Sequence, residues 1–474
     1  MNFSSPVFLF FFLPVLYAAD RIIRSNRIKN WVLAAASLLF FAFGQLIYVP
    51  LFLLSVLISY TAGRLLMKPV RRRKAVLAVT VVLDLTVLAV FKYTDFLLSN
   101  LNAAFSASIP LTGIILPLGI SFFTFQGMSY VIDTYRDPKS GTEDFLDLLL
   151  FMAFFPQLIQ GPILRFSSFS PQLSGRHTSA DLTASGVRRF ITGLAKKVII
   201  AVEAGRITDA VFAMPGGGTL DWRLAWLAGI CYALQIYYDF SGYSDMAVGL
   251  ARIFGFRIAE NFAFPYGAAS IRDFWRRWHI TLSSWFRDYV YIPLGGSRNG
   301  RIRTYLNRMI VFLCTGIWHG ANWTFVVWGV LHGVLSNLEN AGILPVDRLS
   351  KSRAGRIINR IYTLLAVMLL FVLFRAKDLA QGGQIIASMF RFRTTLEGGF
   401  RLQDLLPVST VTILAVGIIF AGNLAPKIRD WCAALEKKST AAEAAGIICS
   451  LLLFALCIFA LARGGFSPFI YFQF

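Results

Sequence analysis

Long apolar segments follow one another along most of this chain, and they restrict the folds open to it more than any other feature. Clear examples are residues 75–98, 224–254 and 309–338. A helix that crosses a bilayer needs about 20 mainly apolar residues, and its backbone polar groups must bond to one another. Only 15% of the residues are charged, fewer than is usual in soluble proteins. The sequence therefore predicts an all-α, polytopic integral membrane protein.

The same pattern predicts how many helices to expect. Pro and Gly interrupt several apolar segments, as at residues 116–121 and 154–162. Such breaks are tolerated at membrane depth only where protein or a water-filled cavity satisfies the freed backbone groups. We expect ten to twelve transmembrane or re-entrant helices around a central tunnel, in a single membrane domain covering residues 1–474. The remaining apolar segments are residues 31–66, long enough for two crossings, 109–132, 145–163, 190–214, 358–374, 405–424 and 444–461.

The charged residues are strongly biased towards the basic side, with 46 Lys and Arg against 25 Asp and Glu. They form short clusters between apolar segments, as at residues 21–29 and 68–74, and not one continuous basic face. This is the pattern of the positive-inside rule, which places both clusters in the cytoplasm and the N-terminus on the outer face. The first apolar segment has its charges after it, which is typical of a retained helix and not of a cleaved signal peptide. The expected partner is thus a lipid bilayer, and no nucleic acid is expected.

Several common catalytic and metal-binding motifs are absent from the sequence. It contains no Gly-x-Ser-x-Gly, no phosphate loop and no His-Glu-x-x-His, and its five cysteines show no Cys-x-x-Cys spacing. These absences count against a serine hydrolase, a metalloprotease and a disulfide framework, and no metal site is predicted.

His319 lies within an apolar segment, where an ionisable side chain is costly and is often retained for function. Gly316 and Gly320 would let another helix or a substrate approach its imidazole closely. Asn322, one helical turn later, is a candidate to orient the ring or a bound oxyanion. A neutral imidazole suits the deprotonation of a hydroxyl. The structural alternative is a core histidine that hydrogen-bonds a neighbouring helix.

His279 lies in a segment, residues 273–293, that is dense in Trp, Arg and Tyr. If this segment is one helix, its tryptophans share a face and His279 lies at the edge of that face. One interpretation is an amphipathic helix at the membrane interface, whose arginines reach lipid phosphates. The other is that the arginines meet the phosphates of an acyl carrier, with His279 near its reacting end. The arginines concerned are Arg272, Arg276 and Arg277.

Four further polar residues lie near or within the apolar segments. His332 would point about 220° away from His319 on a continuous helix, which suggests a structural role, and His177 lies in a polar loop. Asp239 and Asp245 place two carboxylates among apolar neighbours. An internal salt bridge to an arginine is as plausible for them as catalysis, and Asp245 is retained as a candidate pocket residue.

Around these histidines the sequence resembles the membrane-bound O-acyltransferase superfamily. The resemblance is closer to its bacterial branch, which contains the membrane subunit of alginate O-acetyltransferase. The segments concerned are residues 121–136, 155–163 and 238–245, the blocks around His279 and His319, and the C-terminal residues 466–474. Most of them lie in a motif-bearing core, residues 116–333.

The resemblance implies a function for the two histidines. His319 corresponds to the family's catalytic histidine and His279 to its second motif position, whose role is to orient donor or acceptor. Trp318, Asn322 and Arg276 correspond to pocket residues. His319 would take the proton from a hydroxyl that attacks an acetyl thioester, with acetyl-CoA as the donor substrate and no bound cofactor. The acetyl group would then pass to a separate extracytoplasmic transferase acting on a polysaccharide such as alginate or cellulose, which implies a bacterial cytoplasmic membrane.

Two other functions stay open at this point. Within the family, D-alanyl transfer to teichoic acid from a carrier protein is the nearest alternative. From another class, a transporter or flippase would also be polytopic, although such folds are often built from repeats and no clear repeat occurs here.

Overall fold

The computed structural model describes residues 1–69, 71–214, 220–392 and 402–464. Helices joined by short connections account for most of these residues, and no strand occurs among them. The segment 466–474, part of the family resemblance, lies outside the described residues. Contacts group the chain into two compact units, where the sequence pattern suggests one domain. The first unit comprises Met1–Phe190 and Ser244–Ala259, and the second comprises Ile191–Tyr243 and Glu260–Phe474.

The first unit contains eight whole helices, most of a ninth, the last residues of α11 (Trp222–Ile253), and a short π-helical segment, Phe8–Phe12, before α1. Their bounds are α1 Leu13–Ile22, α2 Asn26–Ala42, α3 Val49–Leu66, α4 Arg73–Phe105, α5 Ile120–Arg136, α6 Phe145–Ala153, α7 Phe155–Leu158, α8 Phe166–Gly175 and α9 Ala180–Ala195.

Aromatic rings form part of the first unit's core. Phe155 packs against Phe40 at a centroid distance of 5.5 Å and against Phe8 at 6.2 Å, and all three are buried. The buried carboxylate of Asp20 lies 3.2 Å from the guanidinium of Arg176, which compensates its charge. The unit is therefore held by apolar packing together with paired internal charges.

Two predicted segments of this unit have different outcomes. Residues 31–66 form two helices, α2 and α3, as expected. Residues 109–132 form an apolar segment that Pro and Gly interrupt at residues 116–121, and α5 begins within this interruption, at Ile120. The side chain of Asp95 accepts the backbone N–H groups of Thr112 at 2.7 Å and Gly113 at 3.0 Å, which stabilises a non-helical loop.

The second unit contains the remaining helices. Two short π-helical segments, Lys196–Ala201 and Arg287–Tyr291, extend α9 and α13. Within α11, residues up to Tyr243 belong to this unit. The bounds are α10 Val202–Phe212, α11 Trp222–Ile253, α12 Ile271–Arg277, α13 Ile280–Phe286, α14 Gly300–His319, α15 Trp323–Ala341, α16 Val346–Leu349, α17 Arg353–Arg375, α18 Leu379–Arg391, α19 Leu402–Leu405, α20 Val408–Ala421, α21 Leu424–Glu436 and α22 Thr440–Ala462.

Helices α14 and α15 pack closely because glycine lies on both sides of their contact. A Cβ atom at Gly316 would collide with the carbonyl oxygen of Phe325, and one at Gly329 would collide with that of Phe312. The expected close approach of a helix at Gly316 is confirmed. At Gly320 it is the ring of Phe325 that occupies the space.

Four described helices are long and apolar enough to cross a membrane: Leu46–Leu66, Arg73–Phe105, Arg353–Arg375 and Thr440–Ala462. A bent pair, α20 and α21, with an angle of 82° between its halves, raises the number to five if the pair counts as one span. The chain is thus an all-helical membrane protein within its described part. The larger number of crossings expected from the sequence is not confirmed.

Candidate active site

His319 is the last residue of α14, and the chain breaks directly after it. Gly320 is extended with φ −175°, and α15 starts at Trp323 with Asn322 as its N-cap. The prediction of one continuous helix from His319 to His332 is therefore wrong. The two histidines lie on separate, adjacent helices, so the angle between them on a single helix does not apply.

Aromatic rings surround the His319 imidazole, which is 4% exposed. The ring of Trp328 lies edge-on at a centroid distance of 5.1 Å and an interplanar angle of 90°. Phe374, from α17, lies at 5.1 Å and 81°. Trp318 lies at 5.0 Å and 75°. Three edge-to-face contacts restrict the imidazole's orientation, as expected of a side chain that must meet a reacting atom at a fixed angle.

The indole of Trp318 also contacts His279, at a centroid distance of 5.9 Å. One tryptophan therefore touches both candidate histidines, although they are 40 residues apart in the sequence. The structure brings together His319, His279 and Trp318, which were selected from the sequence.

His279 does not lie on the continuous helix that the tryptophan spacing suggested. Helix α12 ends at Arg277, and His279 adopts the left-handed conformation with φ 44° before α13 begins at Ile280. A non-glycine residue in this conformation carries strain and is often found at functional sites. The prediction of one amphipathic helix with His279 at its edge is thus wrong, because the chain turns at this residue.

Asn261 holds His279 in place. Its Oδ1 atom accepts hydrogen bonds from the backbone N–H of Thr281 at 3.2 Å and from the Thr281 hydroxyl at 2.9 Å. The same oxygen lies 3.2 Å from Nδ1 of His279. Because the backbone N–H of Thr281 can only donate, the Asn261 atom that it meets is the amide oxygen, which can only accept. Nδ1 of His279 bonds to the same oxygen and must therefore carry the proton. Asn261 carries no recognisable motif and was missed in the sequence.

The remaining nitrogen of His279, Nε2, then has a free lone pair. It is buried and makes no hydrogen bond within the described residues. Burial lowers the pKa of His279, which lies between α12 and α13, to about 3. The imidazole is consequently neutral near pH 7, and Nε2 can accept a hydrogen bond from a substrate group. Phe240 packs edge-to-face against the same ring at a centroid distance of 4.6 Å.

The three arginines before His279 have different surroundings. Arg272 pairs with Glu339 at 3.3 Å and Asp347 at 2.8 Å, and Arg277 pairs with Asp273 at 3.0 Å. Arg276 is exposed and forms no ion pair within the described part of the chain. Of the three, it is the one whose guanidinium stays available for an external phosphate.

Asn322 is used as a helix cap. Its Oδ1 accepts the backbone N–H of Thr324 at 3.0 Å, and its Nδ2 donates to the carbonyl oxygen of Lys377 at 2.8 Å. Because these bonds engage both ends of the amide, Asn322 holds the break between α14 and α15.

The two carboxylates of α11 form salt bridges with basic residues. Asp239 pairs with Lys197 inside the second unit, and both side chains are buried. Asp245 belongs to the first unit and pairs with Arg189 at 2.6 Å. The expected salt bridge to an arginine is thus present at Asp245, whereas Asp239 pairs with a lysine, and each pair compensates a buried charge.

A profile of the MBOAT family, the membrane-bound O-acyltransferases, matches residues 27–375, a range that includes both histidines and their aromatic neighbours. The chain belongs to this family. This membrane-bound O-acyltransferase is 38% identical to the probable alginate O-acetylase AlgI of Azotobacter vinelandii over 100% of both chains.

Two further bacterial relatives differ in the acyl group that their names give: one is an O-acetyltransferase and the other is a D-alanyltransferase. It is 36% identical to the peptidoglycan O-acetyltransferase of Helicobacter pylori, over 82% of this chain and 79% of that one. It is 29% identical to the teichoic acid D-alanyltransferase of Bacillus subtilis, over 54% of this chain and 65% of the other. The O-acetylases match more of the chain and at higher identity than the D-alanyltransferase does.

Proposed function

We propose that this enzyme moves an acetyl group from a cytoplasmic donor, acetyl-CoA, across the bacterial cytoplasmic membrane for O-acetylation of an extracytoplasmic polysaccharide such as alginate or cellulose. The observation that carries the proposal is the pair of buried histidines on either side of Trp318, in a chain whose full-length relatives include O-acetylases.

In this mechanism His319 is the general base. Its imidazole takes the proton from the acceptor hydroxyl as the hydroxyl oxygen attacks the thioester carbonyl carbon. The carbon–sulfur bond then breaks, and the proton passes from the imidazolium to the departing thiolate of coenzyme A. General-base assistance of this kind is worth roughly a hundredfold to ten-thousandfold in rate.

His279 has an orienting role in the proposal. Its protonated Nδ1 faces Asn261, and its Nε2 is directed elsewhere with a free lone pair. Such a nitrogen can accept a hydrogen bond from a donor amide or an acceptor hydroxyl, and so place that substrate beside His319. Trp318 separates the two imidazoles and forms part of the same pocket.

The membrane arrangement follows from the polar content of the helices. Helices α11, α14 and α15 bury polar side chains such as Asp239, His319 and His332, which a lipid-facing helix would not tolerate. We expect them to line a central tunnel, with broken helices that raise the number of transmembrane or re-entrant segments to ten to twelve.

The acceptor of the acetyl group is proposed to be a separate extracytoplasmic transferase, which then modifies the polymer. No connection between the described helices is long enough to form a separate domain that would bind a long polysaccharide. A partner would supply that surface.

The proposal is tested by the O-acetyl content of the cell-surface polysaccharide in a strain that lacks the gene. The strain is complemented with wild type, His319→Ala or His279→Ala at matched membrane expression. Loss of acetyl ester with His319→Ala is expected, with a smaller loss for His279→Ala. Full acetylation by His319→Ala would contradict the mechanism, and loss of D-alanyl ester in place of acetyl ester would favour the teichoic acid alternative.

A further inference from the structure

We propose that His332 is a positioning residue for the transfer reaction, acting on His319 through the indole of Trp328. This inference rests on the proposed function of His319 as the base. His332 is fully buried in α15 and faces residues of α12, α14 and α15.

Two phenylalanine rings lie nearly parallel to the His332 imidazole. Phe274 of α12 lies nearly parallel to it at a centroid distance of 6.4 Å and an angle of 6°. Phe312 of α14 lies at 6.2 Å and 16°. Because these rings come from two different helices, they fix the plane of the imidazole relative to both.

A hydrogen bond fixes the rotation of His332 within that plane. The indole Nε1 of Trp275 donates to Nδ1 of His332 at 3.2 Å. An indole N–H can only donate, so Nδ1 must hold a lone pair and the imidazole must be neutral, with its proton on Nε2. In a protonated imidazole, Nδ1 of His332 would carry a hydrogen that points at the indole N–H of Trp275, and the hydrogen bond would be lost. His332 therefore acts here as a hydrogen-bond acceptor with one defined orientation.

Trp328 connects this arrangement to the proposed base. Its buried indole lies 4.8 Å from the His332 ring at 75° and 5.1 Å from the His319 ring at 90°. The indole of Trp328 thus contacts both the imidazole of His332 and the imidazole of His319. A rotation of His332 would release Trp328, and Trp328 is one of the rings that orient His319.

Glu339 supplies a second attachment between the same elements. It lies two turns after His332 on α15, hence on the same face of that helix. Its carboxylate accepts the backbone N–H of Ile271 at 2.7 Å, which is the first residue of α12. Helix α12 is therefore fixed to α15 at both Glu339 and His332. Because Glu339 also holds α12 against α15, the indole of Trp275 stays within hydrogen-bond distance of His332.

The central experiment compares His332→Phe with His332→Asn in purified enzyme. Phenylalanine keeps the ring packing but removes the acceptor, whereas asparagine loses the ring but places an amide oxygen near the position of Nδ1. With acetyl-CoA as donor, His332→Phe is expected to lower kcat about 10- to 100-fold, the range that a misplaced reacting group produces. KM for acetyl-CoA should stay unchanged, and His332→Asn should recover part of kcat. An unchanged kcat, or equal losses in both variants, would overturn the proposal.

A second readout does not depend on the donor. Diethyl pyrocarbonate modifies neutral imidazoles, and mass spectrometry gives the rate at each histidine. In His332→Phe the rate at His319 should rise several-fold, while the rate at the exposed His177 serves as an internal reference. An equal rate at His319 in wild type and His332→Phe would overturn the positioning role. Absence of transfer by wild type would instead contradict the choice of donor.

Matched variants separate positioning from folding. His177→Phe makes the same substitution at an exposed histidine of the first unit and should retain wild-type kcat. Trp275→Phe removes the donor of the same hydrogen bond and keeps a smaller aromatic ring at that position, so it repeats the test if His332→Phe fails to fold. Combining Trp275→Phe with His332→Phe should cost no more than His332→Phe alone, and a fully additive loss would contradict coupling between the two residues.

Discussion

The amide oxygen of Asn261 lies 3.2 Å from Nδ1 of His279 and accepts the backbone N–H of Thr281 at the same time. One side chain thereby holds the left-handed turn at His279, sets its tautomer and starts α13. Asn261 itself is buried and precedes α12 in the chain. The orientation of His279 thus depends on a residue outside the motif that surrounds it.

Asn261→Ala is predicted to lower transfer activity by about tenfold or more. It removes three hydrogen bonds to one buried oxygen, and the loss of such a buried acceptor costs about 1–3 kcal/mol. The measurement is kcat with acetyl-CoA at matched amounts of folded protein. Wild-type kcat in the alanine variant would show that His279 needs no fixed orientation.

Asn261→Asp offers a pH test at the same position. Burial holds the pKa of His279 at about 3, so this imidazole does not titrate between pH 5 and 8 in the wild type. A carboxylate within hydrogen-bond distance favours the imidazolium and raises that pKa. As pH falls, Nε2 of His279 then gains a proton, and the aspartate variant should lose kcat/KM at a higher pH than wild type. Superimposable pH profiles would contradict a role for the Nε2 lone pair.

Glu339→Ala should destabilise the protein by roughly 3–5 kcal/mol, the usual cost of breaking a buried ion pair by removing one partner. The variant leaves two backbone N–H groups of α12 without their acceptor, and it leaves the guanidinium of Arg272 paired with the exposed Asp347 alone. Asp347→Asn is the control, because Asp347 pairs with the same arginine but is exposed, and such pairs contribute about 0–1 kcal/mol. Thermal unfolding in detergent measures both, and equal midpoints for the two variants would contradict the prediction.

Gly316→Ala is expected to cost about 1–3 kcal/mol and to lower activity, because the added methyl group forces α14 away from α15 next to His319. Gly383→Ala in α18 is the matched control. A Cβ atom there meets nothing within 4 Å, and alanine favours the helix. The thermal midpoint should therefore fall for Gly316→Ala and stay level or rise for Gly383→Ala. A fall of the same size in both would show that the contact at Gly316 is not special.

Apolar segments predicted many of the helices in this chain. Residues 224–254, 358–374 and 444–461 are each helical over most of their length, as α11, α17 and α22. Bilayer thickness and backbone hydrogen bonding impose this pattern locally, so it can be read without tertiary information. The breaks at His279 and after His319 were not foreseen.

Those two breaks differ in how far the sequence could have revealed them. The one after His319 has a local signal, since Gly320 is followed by Asn322, a good N-cap residue, and then by a new apolar segment. The one at His279 has none, because the amide of Asn261 stabilises it from 18 residues away. For the same reason the pocket partners Phe240 and Phe374, which come from distant helices, could not be selected from the sequence.

Arg276→Gln should raise KM for acetyl-CoA about 10-fold or more with little change in kcat, if its exposed guanidinium binds the donor's phosphates. A charge-assisted hydrogen bond of this type contributes about 1.5–3 kcal/mol. Arg277→Gln is the control, because Arg277 is already paired with Asp273 four residues earlier, a pair worth about 0.3–0.5 kcal/mol.

Acetyl-pantetheine, which carries the same thioester without the nucleotide phosphates, separates donor binding from chemistry. With this donor, wild type and Arg276→Gln should have the same KM, since the group that Arg276 would contact is missing. A raised KM for both donors in Arg276→Gln would contradict phosphate binding and indicate that the arginine acts on the pocket itself. An unchanged KM for acetyl-CoA would leave the interfacial role, contact with lipid phosphate, as the better account of Arg276.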